Sequence, residues 1–291
     1  MEKKKKEIFE QTIMSNIKRK SIFVDKVQML EEVPLFSWID INPTELCNRK
    51  CTFCPRVDAS EYPNQNLHMS VEMATKIAAE LKDLNYKGGV VFSGYGEPLL
   101  NPLISDIVRE FGDEIHTELV TNGDKLSLKI VTSLFDSGLD VLIISMYDGP
   151  HQIEEFTKIF NDLNVPESKY ILRDRWYDTS MDFGLKLTNR GGTISHENQQ
   201  NIDTSRPCFY THYSMMIDWN GDVMLCVQDW NKKVKFGNVF SNSLFSIWRK
   251  NNINKYRKML GKGFRKLAPC NKCDVDGTLH GYNHAKCWNK E

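Results

Sequence analysis

The eight cysteines of this 291-residue chain constrain it more than any other feature, because they fall into two groups. Cys47, Cys51 and Cys54 share one short segment, and Cys208, Cys226, Cys270, Cys273 and Cys287 follow only after a long cysteine-free stretch. No run approaches the roughly 18 apolar residues of a membrane span, and the N-terminus lacks the apolar core of a secretion signal. The chain is therefore expected in the cytoplasm, where thiols stay reduced and clustered cysteines read as metal ligands or redox centres. Two groups predict two metal sites.

Charge narrows the partners. Lys+Arg and Asp+Glu each total 38, so the formal net charge is zero and neither nucleic acid nor a membrane surface is indicated. The run Lys3–Lys6 is read as a solvated, frayed terminus.

Three regions are expected. Residues 1–34 read as a polar, helical lead-in ending at Pro34. From 35 to 200, apolar runs (Phe36–Ile41, Gly89–Phe92, His116–Thr121, Val141–Met146, Tyr170–Leu172, Phe183–Leu187) alternate with helical segments such as Ser70–Leu84. That alternation implies βαβ units and a parallel sheet. Six units are fewer than the eight of a closed TIM barrel, so the expected fold is α/β, a partial (β/α)6 barrel. From 201 to 291 the pattern changes to a small α+β domain. Tyr213–Trp219 and Asp222–Val227 flank the hairpin signal Asn220-Gly221, and Leu244, Ile247 and Trp248 share one face of a short helix. The last thirty or so residues show little periodicity and would need a staple to fold.

The segment Cys47-Asn-Arg-Lys-Cys51-Thr-Phe-Cys54-Pro55 follows the first predicted strand. Three thiolates on one tight loop can converge on one centre. A zinc usually takes a fourth protein ligand or water; a 4Fe–4S cluster on three cysteines keeps one iron free for an external ligand. The C-x3-C-x-aromatic-C loop after the first strand of a partial barrel resembles the signature of the radical S-adenosylmethionine (SAM) superfamily. The resemblance implies a SAM-binding 4Fe–4S cluster on Cys47, Cys51 and Cys54, and reductive cleavage of SAM to a 5′-deoxyadenosyl radical. The stretch Gly94-Tyr95-Gly96-Glu97-Pro98 resembles the family's strand-end motif, which implies that Gly94, Gly96 and Glu97 receive the methionyl amino group. Asn122 after the third strand and Ser145 ending the fourth resemble positions contacting ribose and carboxylate, and Phe53 resembles the residue packing on adenine.

Cys208, Cys226 eighteen residues on, and Cys270-Asn-Lys-Cys273 make a four-thiolate set, and thiolates alone do not separate zinc from iron–sulfur. After a radical SAM loop this order resembles the SPASM/Twitch extension, whose one-cluster form fits four cysteines and implies an auxiliary 4Fe–4S cluster. Cys287 is left over and is read as a packing residue; His280 and His284 are read as surface residues.

Thr188-Asn189-Arg190-Gly191-Gly192 shortly before Cys208 resembles the deoxy-scyllo-inosamine dehydrogenase type. That likeness implies a small-molecule substrate (a polyol, aminocyclitol or sugar nucleotide), a flavodoxin or ferredoxin-type electron donor, and oxidation of an alcohol to a ketone. Arg190 is the expected catalytic cation beside the reacting oxygen, with Tyr95 and Gln228 completing the substrate pocket. Epimerisation with a cysteine hydrogen donor, peptide maturation, and a non-catalytic electron-transfer module stand as alternatives. Two clusters predict about eight irons per anaerobically reconstituted chain, and about four after Cys47, Cys51 and Cys54 are all replaced by Ala. Iron and sulfide analysis checks this, and about four irons in the unsubstituted chain would remove the auxiliary cluster.

Overall fold

The alternation of apolar runs and helical segments resolves into one eight-stranded sheet in the computed structural model, which describes residues 14–15, 17–175, 188–195 and 202–289. The strands are β1 (Trp38–Ile41), β2 (Gly89–Phe92), β3 (His116–Thr121), β4 (Val141–Met146), β5 (Tyr170–Asp174), β6 (Ser214–Ile217), β7 (Asp222–Met224) and β8 (Lys235–Asn238). Their spatial order is β8-β7-β6-β1-β2-β3-β4-β5, and the run from β6 to β5 is parallel throughout. β5 and β8 lie at opposite ends, so among the described residues the barrel is open.

β1, β2 and all but the first residue of β4 are buried on both faces, as near-continuous apolar strands under helices must be. The outer face carries α1 (Val71–Asp83), α2 (Ile104–Phe111), α3 (Leu128–Asp136) and α4 (His151–Asp162). Met73, Ala74, Ile77, Ala78 and Leu81 form one stripe of α1 at helical spacing and pack with Ile39, Ile41, Val90 and Phe92 in the main core. Ser70 caps α1 by accepting from the Met73 amide at 3.3 Å, so the helix starts where its sequence predicts. The inner face is different. Trp38 of β1 meets Val91 of β2, Tyr213 and Val24 in a separate cluster, and Asp40 accepts a hydrogen bond from Ser214 Oγ at 3.1 Å.

Several elements differ from expectation. Helical turns cover 17–24, and the lead-in then forms a two-residue strand pair, Met29–Leu30 with Val33–Pro34. The expected strand Phe183–Leu187 lies outside the described residues. The Asn220-Gly221 hairpin is present but shorter, and its first strand joins the parallel sheet beside β1. Ile39 and Ile41 therefore acquire a neighbour on each side, a long-range pairing that no local pattern announces. The C-terminal part adds α5 (Leu244–Trp248), α6 (Asn251–Gly261) and α7 (Tyr282–Trp288).

His284, expected at the surface, is fully buried on α7. Its Nε2 lies 2.7 Å from Ser37 Oγ and 3.2 Å from the Leu35 carbonyl, and burial pulls the imidazole down to about 4. A seven-residue helix of mostly polar letters has too short a repeat to reveal that buried face.

Trp248 ties the C-terminal helices to the sheet. It is fully buried, donates from Nε1 to the Pro34 carbonyl at 2.8 Å, and lies edge-on to Phe36. The Arg257 guanidinium sits 3.9 Å from its ring centroid and 3.9 Å from that of Trp288. Trp248→Ala is expected to cost about 3–5 kcal/mol, read as a lowered urea midpoint. A change within about 0.5 kcal/mol, typical of surface sites, would contradict this packing role.

Candidate active site

The first cysteine loop leaves the end of β1 and is stitched to the loop after β2. Asn42, fully buried, accepts from the amides of Tyr95 (3.0 Å) and Gly96 (3.2 Å) through Oδ1, and the Glu97 amide donates to the Leu46 carbonyl at 2.8 Å. Gly96 is required by close approach, since a Cβ there would lie 2.1 Å from the Thr44 carbonyl oxygen. Beneath the loop runs a buried ionic network. Glu45 pairs with Arg56 at 2.8 Å and with Lys232, and Lys232 also reaches Asp218 at 2.6 Å.

Cys47, Cys51 and Cys54 are half-buried on this loop. Burial raises the Cys47 thiol and pushes Cys51 up to about 11, with Cys54 and Cys47 adding to the effect on Cys51. Neighbouring thiols that disfavour one another's ionisation are what a bound metal reverses, since coordination holds them as thiolates.

Glu97 is almost fully buried. Its carboxylate accepts from Thr121 Oγ1 at 2.6 Å, the Asn122 amide at 2.8 Å and the Leu99 amide at 3.1 Å. Burial raises it to about 7, and those three donors hold it from going higher. The side chain of Asn122 is held by Asn48 at 2.9 Å, which joins the loops after β3 and β1.

Tyr147, just past β4, is the meeting point of the mouth. Burial raises its hydroxyl, Cys51 adds to this, and Ser145, Arg175 and Arg190 oppose it. Phe53 stands with its ring centroid 5.4 Å from that of Tyr147. Arg49 lies over the same ring at 5.4 Å and bridges Asp124 (2.7 Å) to Asp148 (2.8 Å).

Residues 188–195 dock on the second cysteine group. The Asn189 amide donates to Asp274 at 2.9 and 3.1 Å, and Asn189 Nδ2 donates to the Lys272 carbonyl at 2.6 Å. Gly191, at φ +66°, sits where a Cβ would meet the Gln228 carbonyl at 2.5 Å. Arg190 between them is held at φ +48°, a region non-glycine residues rarely occupy. Its buried Nε has no partner among the described residues.

Cys208, Cys226, Cys270 and Cys273 all line one cavity of about 430 Å³ including its mouth, walled by Tyr210, Leu225, Leu260 and Val275. Burial pushes Cys270 up to about 12 and Cys273 up to about 11, and the other thiols reinforce the rise at both. Four cysteines around one apolar cavity fit a cluster of several irons. Cys287 on α7 lines neither this cavity nor the one beside Tyr95.

The expected substrate residues are not brought together. Tyr95 packs edge-on to Trp230 at 4.8 Å and donates to the Asp229 carbonyl at 3.2 Å, lining a cavity over the ionic network. Gln228 lines the four-cysteine cavity instead. Sequence reading missed Asn42, Arg49, Arg56, Tyr147, Arg173 and Arg175. Arg173 and Arg175 left one signal, two cations at period two ending an apolar strand. Burial lowers both to about 10, and Arg173 Nε has no partner among the described residues.

Residues 41–164 match the radical SAM superfamily, and residues 208–274 match the SPASM iron–sulfur cluster-binding domain. The chain thus carries a radical SAM domain followed by a SPASM domain. This radical SAM enzyme is 26% identical over 244 residues to the S-adenosyl-L-methionine-dependent 2-deoxy-scyllo-inosamine dehydrogenase of Niallia circulans, covering 82% of its own chain and 93% of that protein. The crystal structure of BtrN in complex with AdoMet and 2-DOIA matches it with a TM-score of 0.71 at 26% identity, over 86% of this chain and 98% of that one. A GTP 3′,8-cyclase of Chlorobaculum tepidum is 32% identical over 124 residues, 42% of this chain and 36% of that protein. The enzyme uses SAM, a SAM-binding 4Fe–4S cluster and an auxiliary cluster. Among the described residues no helix is long and apolar enough to cross a membrane.

Because the folded Glu97 carboxyl binds its proton more tightly than the unfolded one, its contribution is fully present below about pH 4.5. That contribution is lost as pH rises through about 7, costing on the order of 3 kcal/mol above that. Glu97→Gln apoprotein is therefore expected to gain stability relative to the parent as pH rises from 5 to 8, measured by urea unfolding. Parallel pH profiles would show that Glu97 titrates near its ordinary value.

Proposed function

We propose that the enzyme oxidises one secondary alcohol of a small polyol or aminocyclitol to a ketone. The observation that carries this reading is the placement of Arg190. Its loop is locked to the four-cysteine cavity through Asn189 and Gly191, while its buried Nε has no partner among the described residues. A cation held in a rare backbone conformation beside the four-cysteine cavity suits a group that meets a reacting oxygen. The likeness to a 2-deoxy-scyllo-inosamine dehydrogenase supports an aminocyclitol as the substrate class. When bound, SAM and its cluster supply the 5′-deoxyadenosyl radical that removes a carbinol hydrogen, and the auxiliary cluster provides the electron sink.

The chain's own residues then have these roles. Cys47, Cys51 and Cys54 hold the SAM-side cluster, and Cys208, Cys226, Cys270 and Cys273 hold the auxiliary one. Gly94 and Gly96 let backbone approach the methionyl group, and Glu97 accepts from its ammonium at its remaining lone pairs. Asn122 and Ser145 orient the ribose and carboxylate, Arg173 and Arg175 offer that carboxylate a buried counter-charge, and Phe53 packs on adenine. Arg190 orients the substrate hydroxyl and favours loss of its proton. Tyr95 supports the mouth from below, and Gln228 closes the auxiliary side. The division at residue 200 is functional: the region before it handles SAM and the region after it handles the electron. A flavodoxin or ferredoxin-type donor in the cytoplasm would supply the reducing electron.

Incubation with SAM, a reductant and 2-deoxy-scyllo-inosamine or related aminocyclitols and polyols is expected to give 5′-deoxyadenosine and a product two hydrogens lighter. Arg190→Gln is expected to lower kcat about 10²–10³-fold while leaving SAM affinity within twofold. A product of unchanged mass would replace oxidation with epimerisation.

A further inference from the structure

Arg265 is a buried arginine with no carboxylate paired directly to it, the nearby Asp203 acting on it only at longer range. It is 2% exposed and makes no ion pair among the described residues. Instead it donates to three main-chain carbonyls, from Nε to Arg206 at 2.8 Å, from Nη1 to Val275 at 2.9 Å and from Nη2 to Pro207 at 2.6 Å. These carbonyls satisfy hydrogen-bonding capacity and leave the guanidinium without a directly bonded counter-ion. A planar five-donor fork held at three points cannot swing away. The side chain lines the cavity that also holds Cys208, Cys226, Cys270 and Cys273. A neutral side chain would fill that wall at far lower desolvation cost, so the charge calls for an anion in the cavity.

The surroundings sharpen the point. Asp203, Asp229, Asp274 and Asp276 are the acids of this neighbourhood, and none makes an ion pair with Arg265 among the described residues. Asp229 is engaged by the Lys233 and Val234 amides and Asp274 by the Asn189 amide. The first cysteine loop is arranged otherwise. Its arginines are spent on carboxylates, Arg49 on Asp124 and Asp148 and Arg56 on Glu45. The arginines of the first loop thus have direct counter-ions, and the arginine beside the second group has none.

We infer that Arg265 is a positioning residue that sets the reduction potential of the auxiliary cluster, raising it by stabilising the reduced form. The inference rests on the reading that the four cysteines hold that cluster. Reduction adds one negative charge to an assembly that four thiolates already make anionic, inside an apolar wall. A fixed cation stabilises the reduced state more than the oxidised one, and charge around a cluster is among the determinants of its potential. In the oxidation the carbinol hydrogen atom goes to the 5′-deoxyadenosyl radical. The hydroxyl proton is then lost, and one electron leaves the substrate radical for the auxiliary cluster. Raising that cluster's potential drives the last transfer forward.

The test uses the full-length chain with Cys47, Cys51 and Cys54 replaced by Ala, so that the auxiliary cluster is observed alone by anaerobic potentiometry with EPR detection. Absence of iron in this parent would defeat the four-cysteine reading itself, a result distinct from failure of the Arg265 role. With iron retained, Arg265→Gln is expected to shift the reduction equilibrium at least tenfold against the reduced form, about 59 mV for one electron. Arg265→Lys, which keeps charge but loses the fork, is expected to stay nearer the parent. An unchanged potential in Arg265→Gln overturns the inference, as does an Arg265→Lys potential as low as that of Arg265→Gln. Loss of iron from both variants also overturns it, leaving Arg265 a purely architectural part.

Discussion

The geometry at the mouth of the barrel depends on the buried charge of Glu45. That carboxylate meets Arg56 from its own loop and Lys232 from the segment after Cys226, while Asn42 joins it to Asp218. Such a network stabilises only when every member is present, and removing one partner of a buried pair typically costs about 3–5 kcal/mol. Its return here is positional. Asn42 carries the amides of the Gly94–Gly96 turn, Arg56 holds the Tyr95 carbonyl, and Lys232 pins the second cysteine region to the first. The two cysteine regions share one ionic anchor.

Below the mouth the inner face of the sheet is also charged. Arg19 from the N-terminal helical turns pairs with Glu118 of β3, and Lys20 lies 4.8 Å from the Trp38 ring centroid, lowered by burial to about 8 while Asp40 pulls it up. Phe23 and Val24 pack with Trp38 and Val91 in the same place. The lead-in therefore closes the inner face from the N-terminal side of the strands. A seal on that side suits radical chemistry, which has to be kept from water and side reactions.

Much of this was legible in the sequence, for identifiable reasons. β2, β3 and β4 carry their own apolar runs, α1 its Ser70 cap and 3.6-residue stripe, and the Cys47–Cys54 loop a spacing few other chemistries use. What the sequence hid was non-local. Nothing near residue 214 says that Ser214–Ile217 pairs with β1, and nothing near His284 says that Ser37 waits for it. Tyr95 and Gln228 are each adjacent to a motif, yet they face different cavities, because adjacency in a loop does not fix side-chain direction. Arg265 left no pattern at all. Its role comes from three carbonyls belonging to segments some sixty and ten residues away.

The pairing of β6 with β1 has a consequence for the order in which the molecule can be made. Strand one is finished early in synthesis, but its neighbour on one side is more than 170 residues downstream. Until Ser214–Ile217 emerge, β1 presents an unpaired edge, and the cysteine loop hanging from it lacks the Lys232 contact to Glu45. A nascent chain thus carries its first three thiols on an incomplete support for most of its time on the ribosome. Closure of the sheet is therefore a late event, and truncation before residue 214 leaves the cysteine signature intact in a chain that cannot complete its fold.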